Sequence, residues 1–215
     1  MDNANKILQL FLAEKDNLTD WMRKPFTVNG KTGATNAYSV VLLPFASAYE
    51  DMSNKFEGII PTPNCSIRYS VAKLKECYNK IPLVDIPPEK ECPECNGDGQ
   101  VEYEYNGNTG YFSKDIECPV CKGEGFTIDK SKKGESVPDS KKCIKIGNTS
   151  FPSARVSEII KTADLLNIEY FTLIHQSEAN KPSLFSLNEV EILIAGGPAK
   201  PDDIVAILES EVSNG

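Results

Sequence analysis

Histidine is almost absent from this chain: His175 is the only one in 215 residues. It stands at the end of an apolar run beside Gln176, with no Ser or Cys partner at a recognisable spacing, so a strand-end or core position is its expected role. The motifs GxxxxGKS/T, GxGxxG, HExxH and GxSxG are all missing, which removes support for phosphate-loop, dinucleotide, metalloprotease and serine-hydrolase chemistry. No catalytic residue is assigned, and the chain is read as a non-enzyme. Long apolar runs are missing as well: no window approaches eighteen uninterrupted apolar residues, and Met1-Asp2-Asn3-Ala4-Asn5 lacks the basic start of a secretory signal. The expected location is cytoplasmic, with no membrane partner. A basic surplus is absent too. Thirty-one acidic against 23 basic residues give a net charge of -8, which opposes indiscriminate binding to phosphate backbones, so any contact with DNA has to be local.

What is present points to a folded chain. Apolar residues make up 40% and charged residues 25%, near the averages for proteins with a packed core. The length allows one domain, or one domain carrying an inserted module. Seven cysteines is an odd number, and four of them form two CxxC pairs. In a reducing compartment that pattern reads as metal binding before disulfides.

Along the chain, Asn5 to Lys15 carries Ile7, Leu8, Leu10, Phe11 and Leu12 mostly on one side of a helical period. Two extended segments follow, Trp21 to Val28 and Tyr38 to Leu43, separated by a turn at Asn29 to Gly33, and they are expected to pair antiparallel. A second helix covers about Val71 to Asn79 and stops before Pro82. Pro87-Pro88 marks a boundary, after which cysteine, glycine and acidic residues dominate to about Gly125. Lys130 to Lys142 reads as a polar linker. Beyond it come a strand at Cys143 to Ile146, a helix at Ser153 to Leu166, and strands at Glu169 to His175, Ser183 to Leu187 and Glu189 to Ala195, in the order βαβββ. Pro201 to Val212 is expected to form a last short helix. The fold class that follows is α+β, an antiparallel sheet with helices and an inserted β-hairpin. Residues 1–86 and 134–215 would form one discontinuous domain, and 87–133 the insertion.

Cys92 to Gly99 and Cys118 to Gly125 are two copies of CPxCxGxG, with twenty-two residues between Cys95 and Cys118. Two residues between cysteines let both sulfurs of a tight turn reach one ion, and the glycines permit positive φ. Four sulfurs from Cys92, Cys95, Cys118 and Cys121 close a tetrahedral shell with no open position, so one structural zinc ion is expected. Disulfides within each pair and a redox-active CxxC are the competing readings; a reducing cytosol opposes the first, and the lack of a thioredoxin-like βαβ context opposes the second. Cys65, Cys77 and Cys143 have no partner at metal spacing and are expected to be small buried residues. Between the knuckles, Gln100 to Tyr105 alternates like a strand, Asn106 to Gly110 turns, and Tyr111-Phe112 begins the return. Residues 89–129 hold ten acidic residues against three lysines, so this finger repels phosphate and favours a protein-facing or structural role.

Both repeats resemble the CxxCxGxG repeat of the DnaJ-type cysteine-rich zinc domain, over about forty residues. That family carries four repeats and two zinc ions; two repeats here imply one ion, and the missing His-Pro-Asp signature speaks against co-chaperone activity. The flanks carry a second resemblance. Gly30 to Pro44, with Asn36 where the family has Asp, together with Ile144 to Phe151, the helix Ser153 to Leu166 and Pro182 to Ile194, are similar in order and spacing to a βαβββ half of a bacterial sliding clamp domain (the polymerase III beta type). In that family helices line a DNA hole and strands lie outside, and six domains make the ring, of which this chain supplies about one. An unrelated α+β domain of the same element order is the alternative. The composite implies a zinc-binding, clamp-like interaction protein in DNA replication or maintenance, with a protein partner. Lys130, Lys132, Lys133, Lys141 and Lys142 form a basic strip that could touch DNA locally, although a solvated linker is the preferred reading of these lysines. A DnaJ-like chaperone or peptide-binding module is the alternative function.

Overall fold

The computed structural model describes residues 3–13, 19–176, 181–197 and 199–211. By internal packing the chain divides into two compact units, Met1–Pro82 with Pro138–Gly215, and Leu83–Val137. In chain order, the first unit opens with α1 (Asn3–Phe11), β1 (Phe26–Val28), β2 (Lys31–Thr35), β3 (Ser39–Leu43), β4 (Ile67–Ser70) and α2 (Val71–Tyr78). The second holds β5 (Leu83–Ile86), β6 (Glu89–Glu91), β7 (Gln100–Gly107), β8 (Gly110–Glu117), β9 (Phe126–Ile128) and β10 (Glu135–Pro138). The chain then continues through β11 (Cys143–Ile146), β12 (Thr149–Pro152), α3 (Ser153–Leu166), β13 (Tyr170–His175), β14 (Pro182–Leu187), β15 (Val190–Ala195) and β16 (Ile204–Leu208).

In the first unit, seven strands form one antiparallel sheet in the order β1-β2-β3-β15-β14-β13-β4. A smaller sheet has the order β12-β11-β16, with β11 and β16 parallel. The fold is α+β. Its central strands are buried on both faces, which is why Val40 to Leu43 and Ile192 to Ile194 read as unbroken apolar runs rather than alternating ones. Val41, Leu43, Ile192 and Ile194 face the main core with Ile7, Phe11, Leu74, Val156 and Ile159 from the three helices. Val40, Leu42 and Leu193 face a second core with Phe26, Met52 and Phe56, where the Phe26 and Phe56 rings stack at 5.0 Å.

The helices begin and end where local chemistry sets them. The Ser70 side chain accepts a hydrogen bond from the Lys73 N–H at the start of α2. Helix α3 ends at Asn167 in the left-handed region, φ 51°. A polar latch ties α3 to the turn after β2. The Glu158 carboxylate accepts from Asn36 Nδ2 at 2.9 Å and Ser39 Oγ at 2.5 Å, and pairs with Arg155. Burial pushes the Glu158 carboxyl above its ordinary value of 4.5, while Ser39, Arg155 and Asn36 pull it back.

Four expectations are corrected. The two extended segments around Asn29 do not pair with each other: Asn29 and Gly30, at φ 48° and 75°, complete a two-residue turn. That leaves Lys31–Thr35 as an intervening strand, paired to β1 on one side and β3 on the other. Gly33 lies within it because a Cβ there would come 2.7 Å from the Phe26 ring. Thr149–Pro152 adds a strand where none was expected. The region read as a polar linker contains β10, which pairs with β5. Finally, Pro201–Asp203 forms only a 3-10 turn, and Ile204 to Leu208, short and rich in apolar residues, pairs with β11 instead of continuing a helix. The expected extensions to Lys15 and Val212 lie outside the described residues.

Candidate metal centre

The second unit is built around the two cysteine repeats. Ribbon β6–β9 and hairpin β7–β8 are its antiparallel frames, the latter in register from Gln100–Glu117 to Gly107–Gly110. The repeats interlock as near copies of one another: Cys92 N–H donates to the Gly125 carbonyl at 2.8 Å, and Cys118 N–H to the Gly99 carbonyl at 2.9 Å. Equivalent residues adopt matching left-handed conformations, Asn96 and Lys122 at φ 49° and 55°, Gly97 and Gly123 at 90° and 88°, Gly99 and Gly125 at 73° and 79°. A Cβ on Gly99 would clash with the Gly123 carbonyl oxygen, and one on Gly125 with that of Gly97.

This packing brings Cys92, Cys95, Cys118 and Cys121 together, with all four Sγ atoms within 4.8 Å of one another. The cross-repeat distances are 3.8 Å for Cys92–Cys118 and 3.7 Å for Cys95–Cys121. A zinc ion about 2.3 Å from four tetrahedral sulfurs requires neighbouring sulfurs about 3.8 Å apart, so the donor set and spacing fit such a cation. A disulfide needs sulfurs about 2.05 Å apart, and all seven cysteines are free. The four are buried, Cys92 and Cys118 completely. Gly99 and Gly125 N–H groups each point at a sulfur, that of Cys95 or Cys121, at 3.2 Å. Burial pushes the Cys95 thiol up to about 11; the Gly99 N–H opposes this and the neighbouring thiols add to it.

The other singled-out residues are dispersed. His175 ends β13 and donates from Nδ1 to the Thr62 carbonyl at 2.7 Å. Cys77 and Cys143 are buried, and Cys65 is half-buried with its Sγ 3.4 Å from the Leu173 carbonyl. Lys130, Lys132 and Lys133 belong to the second unit and Lys141 and Lys142 to the first. Two of the five are engaged by carboxylates, Lys132 with Asp129 at 3.5 Å and Lys142 with Asp203 at 3.4 Å. Sequence reading did not single out the latch at Glu158, because its partners Asn36 and Ser39 lie more than a hundred positions away and no local pattern announces such a contact.

The fold and the site together define an α+β protein that carries a DnaJ-like cysteine-rich segment. A 42-residue stretch is 45% identical to the chaperone protein DnaJ of Treponema denticola, covering 20% of this chain and 10% of that protein. No protein-family description matches the chain. Among solved structures it is similar to a putative DNA polymerase III beta subunit from Eubacterium rectale, with TM-score 0.45 and 9% identity over 90% of this chain and 62% of the other. It is also similar to the DNA polymerase III beta chain from Streptococcus pneumoniae, with TM-score 0.45 and 14% identity over 93% and 64%. A third is the beta sliding clamp of C. crescentus, with TM-score 0.43 and 9% identity over 93% and 65%. The chain thus spans a tenth of the length of the matched DnaJ, and less than two thirds of these clamp chains. No helix among the described residues is long and apolar enough to cross a membrane.

Proposed function

We propose that Cys92, Cys95, Cys118 and Cys121 hold one structural zinc ion, and that the chain is a non-enzymatic, clamp-like interaction protein of the cytoplasm serving DNA replication or maintenance. The observation that carries the zinc reading is the buried cluster of four sulfurs, all within 4.8 Å of one another and with the two cross-repeat pairs 3.8 and 3.7 Å apart. When bound, zinc supplies a cross-link between the two repeats and neutralises part of four thiolate charges. The protein's own share is to shape both turns with left-handed residues, to aim the Gly99 and Gly125 N–H groups at sulfur, and to exclude water from Cys92 and Cys118. Four protein ligands leave no position for substrate, which makes the site structural. The replication reading rests on the resemblance of Gly30 to Pro44 and of the βαβββ segment, and residues 87–133 are taken as an insertion into that framework.

Metal analysis of protein purified without added zinc tests the first part: one zinc per chain is expected, and well under one with freely reactive thiols rejects it. For the second part, salt-dependent DNA binding weakened in the Lys132→Ala/Lys133→Ala variant supports a DNA-associated role. Capture of unfolded peptides without DNA binding favours the alternative, a DnaJ-like peptide-binding module, for which the 45% identical stretch speaks.

A further inference from the structure

The β7–β8 hairpin sorts its side chains by face. Pairing sets Val101 opposite Ile116, Tyr103 opposite Lys114 and Tyr105 opposite Phe112, so these share one face. Glu102 opposite Asp115, Gln100 opposite Glu117 and Glu104 opposite Ser113 share the other. Val101, at the base, packs against the cysteine cluster. Beyond it the apolar face is open, with Tyr103 and Tyr105 each 56% and Phe112 52% exposed. Neither β7 nor β8 has a second strand partner among the described residues. A two-stranded ribbon is only marginally stable by itself, and an added strand satisfies its unpaired backbone groups.

The two edges differ. Along β7, Val101, Tyr103 and Tyr105 alternate strictly with Glu102 and Glu104; along β8, Lys114 interrupts the apolar face. A strand laid beside β7 would set alternate side chains next to the tyrosines and the others next to the carboxylates. A second copy of β7 would place carboxylate against carboxylate, and a net charge of -8 adds long-range repulsion between copies. A strand with Lys or Arg at alternate positions and apolar residues between them meets both faces at once.

We propose that the β7 edge is the docking site for an extended segment of a partner protein in which apolar residues alternate with Lys or Arg, added as a third strand to the hairpin. This rests on the reading of the chain as a zinc-pinned interaction protein, and it names the surface and the partner's pattern.

The test is fluorescence anisotropy with a short labelled peptide alternating lysine with valine or phenylalanine, titrated with the full chain, zinc content being measured on every sample. A peptide of the same composition without the alternation, and one with glutamate for lysine, serve as comparisons. The alternating peptide is expected to bind about tenfold more tightly than either. Tyr103→Ser/Tyr105→Ser should weaken it by about tenfold at unchanged zinc content. Glu102→Gln/Glu104→Gln should weaken it and flatten its salt dependence. No binding by the zinc-loaded chain, equal binding of the rearranged peptide, or unchanged affinity in the tyrosine variant overturns the docking site and leaves the metal reading intact. Tight binding by protein free of zinc overturns the metal reading alone, and loss of both removes the two together. A concentration-dependent dimer abolished by Tyr103→Ser/Tyr105→Ser would assign the edge to a second copy and likewise overturn the proposal.

Discussion

Gly99 and Gly30 have nearly the same backbone angle, φ 73° and 75°, yet their surroundings differ. Nothing lies within 4 Å of a Cβ built at Gly30, whereas one at Gly99 meets the Gly123 carbonyl. Gly30→Ala should therefore cost only the conformational penalty, about 1–2 kcal/mol. Gly99→Ala should push the repeats apart and release zinc, as metal analysis after gel filtration would show; full retention would mean that the interlocked turns are not what holds the ion. Glu158 makes a second prediction at this scale. Its folded pKa is raised by burial, so the native state holds the proton more tightly than the unfolded chain. Its stabilising contribution is present below the ordinary value of 4.5 and is lost as pH rises through the folded pKa. Glu158→Gln should flatten the dependence of Tm on pH above 4.5 relative to the parent, by calorimetry at several pH values; parallel curves would remove burial as the controlling influence.

Elements differ in how openly the sequence announces them. Helix α3 is legible because Val156, Ile159, Ile160 and Ala163 keep helical period, while its end at Asn167 in the left-handed region is seen only in the structure. The cysteine repeats are equally legible, since ligand spacing is a local property. Strand β2 is not: Gly33 reads as a turn residue until the Phe26 ring is seen to occupy the space a side chain would take. Strand β16 looked helical because Pro201, Asp202 and Asp203 favour a helix start, and only its pairing with β11 decides otherwise. At this scale, Cys95→Ser should abolish zinc binding and raise amide exchange across residues 89–126 while leaving the seven-stranded sheet protected. Hydrogen exchange resolved by segment would show it, and loss of protection throughout would contradict an insertion that folds separately.

For the molecule as a whole, the converse substitution is informative. Phe151 is fully buried in the main core and packs edge-on against Phe185 at 5.4 Å. Phe151→Ala should destabilise the framework by about 3–5 kcal/mol, measured by denaturant unfolding, without lowering the zinc bound per chain at 25 °C in native buffer. Loss of zinc in parallel with framework stability would show the two units to be one cooperative body.

The sequence by itself determined what depends on near neighbours: the two CxxC turns, the helical period of α3, the acidic character of the finger and the alternation along β7. Tertiary structure alone decided what depends on groups far apart in the chain. It gathered the four sulfurs within 4.8 Å of one another, filled the space at Gly33 with a ring from another strand, drew Ile204–Leu208 into a parallel pair, and closed Glu158 onto Asn36 and Ser39. The physical reason is range: spacing and backbone preference act over a few residues, whereas burial, strand pairing and buried hydrogen bonds are fixed only when distant segments meet.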